Sequence, residues 1–154
     1  KIKELCSNNH HHYHLQEIII NYLLARHLWC EDIKEWHSLK SQILSLYANA
    51  SKEIGHFPAV LYSITKVLNS IGIHFKNEGI DWIYTIISNN SNLNLGDLES
   101  NTLYYLEKFL RKLIFTDRQK IRENIRLKTK IISILDFMIE RGSVHGYLLR
   151  ESIL

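Results

Sequence analysis

The sequence predicts an all-α fold of about seven helices stacked as antiparallel hairpins, and three observations carry this. The 154 residues contain a single proline. Apolar residues recur every three to four positions along nearly the whole chain, and the gaps between these runs are filled by Gly, Ser, Asn and Asp. More than about two-thirds helix and no sheet of consequence are expected. At this length one core can bury about two-thirds of the unfolded surface without disulfide or metal, so residues 1–154 read as one domain.

The elements follow in order. Leu15 to Trp29 is apolar on more than one side and reads as a helix buried between neighbours. Asp32 can cap a helix whose stripe is Trp36, Leu39, Ile43, Tyr47 and Ala50. Pro58 suits the first turn of a helix with Leu61, Ile64, Leu68 and Ile71 inward, stopping at Gly72. Gly79 is expected to precede a shorter helix through Ile80, Ile83, Tyr84 and Ile87. Ser88 to Gly96 is rich in Ser and Asn and reads as a loop. Asp97 can cap the next helix, with Leu98, Thr102, Tyr105, Leu106, Phe109 and Leu113 inward. Thr116 and Gln119 have capping-box spacing and are expected to start a long helix whose inner stripe is Ile121, Ile125, Ile132, Leu135 and Ile139. Gly142 should end it, and Ser143 should cap a last short helix to about Ser152.

The charge is unevenly placed. The net +3 hides a stretch from Lys108 to Lys130 with nine Lys/Arg against Asp117 and Glu123, while the remainder is net acidic. Arg118, Arg122, Arg126 and Lys130 recur every fourth residue, so one continuous helix would align them along about 18 Å of one side. Lys108, Arg111 and Lys112 on the preceding helix would widen the patch. Such a row suits phosphates or an acidic protein surface. Ile125, Ile132 and Leu135 are expected to be buried beneath it, and Arg122 and Arg126 exposed.

No residue pattern points to catalysis or to a cofactor. Ser143 and His145 lack a carboxylate placed to orient the imidazole, and the glycines 142 and 146 lack the lysine and strand of a phosphate loop, so they read as close helix packing. Cys6, His10 and His14 fall at i, i+4 and i+8, but on a straight helix they would span about 12 Å, too far for one ion. An exposed His-rich loop without metal is expected there. The histidines His56, His74 and His145 beside glycines read as helix-end caps. Trp29, Trp36 and Trp82 read as core. Two cysteines, Cys6 and Cys30, and no long apolar run point to a cytoplasmic protein with no membrane span. The 22 Ile and 12 Asn point to an AT-rich, bacterial coding bias. The opening Lys1 points to a piece of a larger protein.

In its run of helical hairpins the chain resembles the α-solenoid families, the HEAT, armadillo and tetratricopeptide arrays. The stretch Ile139-Glu140-Arg141-Gly142-Ser143-Val144-His145-Gly146-Tyr147-Leu148-Leu149-Arg150-Glu151 is also similar to helical segments in the C-terminal parts of large bacterial multidomain ATPases, defence proteins among them. These resemblances imply a sensor or scaffold, with the ATPase outside this chain. The expected role is a non-catalytic helical-repeat module that binds a protein partner or other domains of its parent. Nucleic-acid binding through the basic residues of 108–130 is the alternative.

Overall fold

The computed structural model describes residues 44–72 and 75–154. The expectations for Leu15 to Trp29, for the Cys6, His10 and His14 group, for Asp32, Trp36, Leu39 and Ile43, and for Cys30 and His74 lie outside the described residues. Six helices are seen: α1 (44–53), α2 (Pro58–Ile71), α3 (Lys76–Asn89), α4 (Glu99–Glu123), α5 (Ile125–Glu140) and α6 (Val144–Ile153). No strand occurs among the described residues.

The helices stack in two rows. In one, α4 packs on α2 and α6 on α4; in the other, α5 packs on α3. Tyr47 of α1 meets Trp82 of α3 edge to face, with ring centroids 5.1 Å apart, which places α1 in the second row. Each helix thus rests on the next but one, and the chain crosses from one row to the other between successive helices. Helix α2 lies deepest. Its Val60, Leu61, Ile64, Val67 and Leu68 are buried, and so are Ser63 and Thr65, so the helix is covered on nearly all sides. Pro58 stands at its first turn, where a missing N–H costs nothing.

Several expected boundaries move, each for a physical reason. Helix α3 begins at Lys76, not after Gly79; Gly79 is buried within it, because a Cβ there would stand 2.6 Å from Leu68 Cδ2. Asp97 does not cap α4. It lies in a 3-10 turn, Gly96–Leu98, entered through Gly96 at φ 54°, and Leu98 occupies the cap position. The loop before it is closed by Leu93 and Leu95, both buried. Arg141, just past the end of α5, holds it: Nη2 donates to the Leu93 carbonyl at 2.7 Å, and Nε lies 3.3 Å from an oxygen of Glu99 at the start of α4.

The largest correction concerns the long helix. The expected start is met only in part: helical geometry does lapse at Asp117, but the capping box does not form and the segment beyond it ends at Glu123. The Thr116 hydroxyl donates back to the Lys112 carbonyl, Gln119 donates to Glu123, and α4 runs on through a kink at Asp117 (φ −120°, ψ 23°). The chain instead breaks at Asn124 (ψ 96°), whose side-chain oxygen accepts from the Leu127 N–H and caps α5. The break rotates the inward face. Ile131, Ile134, Leu135 and Met138 point into the core, while Ile125 is 78% exposed and Ile132 only partly buried. Asn124→Ala is expected to cost about 1 kcal/mol, and Asn124→Gly only a few tenths, in urea unfolding, since glycine still permits the cap geometry.

The ends of α5 and α6 follow the expectation. Gly142, at φ 88°, follows the last turn of α5, and the Ser143 hydroxyl accepts from the Gly146 N–H to open α6. A Cβ on Gly146 would sit 3.2 Å from Met138 Cβ, so this glycine lets α6 lie close against α5.

The Tyr47 hydroxyl is fully buried with no hydrogen-bond partner among the described residues, and burial pushes its pKa up from the usual value near 10. Folding therefore holds the neutral phenol. That contribution is intact below about pH 10 and is lost as pH rises, because only the unfolded state ionises freely. Tyr47→Phe is expected to be at least as stable at pH 7, having no unsatisfied group to bury. Above pH 10 it should lose about 1.4 kcal/mol less per pH unit than the parent chain. Urea curves at pH 7 and pH 11 check both.

Candidate functional site

The row of four cations does not form, because the break at Asn124 divides it. Arg118 and Arg122 belong to α4, Arg126 and Lys130 to α5. Lys130 turns away to α3, where its ammonium lies 2.6 Å from Asp81 and over the Tyr84 ring. Arg111 pairs with Glu107 one turn earlier on its own helix. Lys112 reaches only the Asn69 carbonyl, at 3.4 Å, and Arg122 donates to the Ser152 carbonyl at 3.1 Å. Arg118 and Arg126 are exposed and make no ion pair among the described residues.

A different line replaces the row. At 100° per residue, Tyr104, Lys108, Arg111 and Phe115 fall within about 60° of one another, on the side of α4 opposite Leu106, Phe109 and Leu113, and exposed Arg118 and Arg122 follow beyond the kink at Asp117. Tyr104 is 54% and Phe115 82% exposed, and the Lys108 ammonium lies 5.4 Å from the Tyr104 ring centroid. The line carries no carboxylate. Glu107 is turned into the protein toward Arg111, Asp117 faces Lys76 at 3.1 Å, and Glu123 lies beyond the far end with Gln119. The signal for Tyr104 and Phe115 is present in sequence as steps of four, three and four from 104 to 115.

No protein-family model matches this chain, and no curated protein matches it significantly. What it does must therefore be argued from its own surfaces.

A second face lies on α6. Its inner side, with Gly146, Leu149 and Ile153, packs on α4 and α5. Val144, Tyr147, Leu148 and Leu154 lie on the other side, all more than half exposed, with exposed Glu151 among them. The helix is thus apolar on two opposite sides, and only one is covered among the described residues.

The recesses hold little chemistry. One of about 250 Å³ between α2 and α4 has Leu68, Phe109 and Leu113 with Lys76 and Lys112 at its edge. Ser143 is committed to its cap and His145 is exposed. No three of His, Cys, Asp and Glu gather for a metal among the described residues. No described helix is long and apolar enough to cross a membrane.

Proposed function

We propose that this chain is a non-catalytic interaction module, a stack of helical hairpins like those of the α-solenoid families, that takes an amphipathic helix of a protein partner, or of another part of its parent chain, along α6. The supporting observation is the side of α6 that is uncovered among the described residues; within its row α4 covers α2 and α6 covers α4. The partner helix would bring an apolar stripe to Val144, Tyr147, Leu148 and Leu154, with a Lys or Arg to meet Glu151.

A photo-crosslinking residue placed at Leu148, with Ser133 on α5 as the control position, tests this in the cells that make the protein. A discrete adduct from position 148 alone is expected, and Tyr147→Ser with Leu148→Ser nearby should abolish capture by the isolated partner while changing stability by under about 1 kcal/mol. Equal adducts from both positions, or none, would remove the reading. An adduct of twice the chain's mass would replace it with self-association.

A further inference from the structure

From the outer face of α4 we infer that the protein binds a single nucleic-acid strand along Tyr104, Lys108, Arg111, Phe115, Arg118 and Arg122. The inference is independent of the α6 reading, since it uses another helix and another chemistry.

Three features select this ligand. Tyr104 to Phe115 run about 16 Å along one side of the helix, and Arg118 and Arg122 continue past the kink at Asp117, together long enough for several nucleotides. Four of the six are cations, of which Arg111 is paired with the largely buried Glu107, and exposed Lys112 beside the line adds to the positive field. The two exposed rings, about 16 Å apart, stand between and beside the cations on the same line rather than on a separate apolar side.

The third feature separates the candidates. A bilayer would need the rings on one side and the cations flanking them, because burying Phe115 to any depth here takes Arg111 and Arg118 with it. An acidic protein surface would pair the cations and leave an 82% exposed phenylalanine without purpose. A duplex offers phosphates to the cations but keeps its base faces stacked away from the rings. A single strand alternates anions with flat apolar faces, as this line alternates cations with rings. Lys108 lies over the Tyr104 ring, which also meets the Tyr105 ring at 5.6 Å, so a base stacking on this half-exposed ring would extend an existing cation and ring cluster.

Fluorescence anisotropy with the full chain, at about 50 mM salt, uses labelled dT15 and rU15, a 15-base-pair duplex, and phosphatidylserine-containing vesicles as probes. Both single strands should bind, the duplex and the vesicles markedly less. Tyr104→Ala and Phe115→Ala should each weaken dT15 binding by roughly 5- to 150-fold, the range for loss of one stacked base, while Phe115→Trp retains it. Arg118→Gln with Arg122→Gln should reduce the slope of log affinity against log salt by about 1.4, at about 0.7 per phosphate contact. Lys52→Gln, an exposed cation on α1, should change neither quantity. The inference is overturned if neither strand binds, if the duplex binds as well as dT15, if vesicles bind and strands do not, or if both aromatic replacements leave affinity unchanged at an unchanged melting temperature.

Discussion

Leu135→Ala is expected to destabilise the protein by about 2–5 kcal/mol, the range for emptying a leucine-sized volume in a close-packed interior. Leu135 has no accessible surface and lies on the inner side of α5 with Ile131, Ile134 and Met138, where α5 meets α3, α4 and α6. Few neighbours can collapse into the gap, because helices border it from three directions. Ile125→Ala, at an isoleucine four-fifths exposed, should cost under about 1 kcal/mol. The contrast is diagnostic, since a helix unbroken from Thr116 would put Ile125 in line with Ile121 and make both replacements costly. Urea unfolding of the two variants decides it: comparable losses would mean that the chain does not break at Asn124.

Most of the helices are legible in sequence because each has a single apolar period and an unambiguous stop. Pro58 and Gly142 are examples, as is Ser143, whose hydroxyl has no use other than capping α6. The α4 to α5 junction is not legible, because two signals compete there. Thr116 and Gln119 have capping-box spacing, whereas Asn124 shows only an isolated cap residue before Ile125. Tertiary packing chooses between them. Continuing α4 to Glu123 buries Ile121, and reversing at Asn124 turns Ile131, Ile134 and Leu135 toward α3 and α6. The basic row depended on the same choice, and the break at Asn124 divides it between α4 and α5. Arg118 and Arg122 remain on an exposed face, but their companions are Tyr104, Lys108, Arg111 and Phe115. The destination of Lys130 is a contact across 49 residues, with Asp81, and no local pattern encodes it.

Gly72→Ala is expected to cost about 1–2 kcal/mol although nothing about the backbone there requires glycine. Gly72 closes α2 at φ −59° and ψ −22°, ordinary right-handed values that alanine adopts freely. Alanine would even gain about 0.4–1 kcal/mol by restricting the unfolded chain. The opposing effect is larger. A Cβ on Gly72 would stand 2.6 Å and 2.7 Å from Phe109 Cε1 and Cδ1, and overpacking of this kind costs about 1–3 kcal/mol. The ring cannot retreat, because Phe109 is buried in α4 and its Cζ lies 3.3 Å from where a Cβ on Gly79 would be. The two glycines form a slot that lets α4 come close to α2 and to the start of α3. If the slot sets this approach, Gly72→Ala and Phe109→Leu will not be additive: the smaller side chain makes room for the methyl group, and the double variant should be more stable than the sum of the singles by more than about 0.5 kcal/mol. Additive losses in a urea double-mutant cycle would show that the ring and the glycine act independently, and that some other contact fixes the distance between these helices.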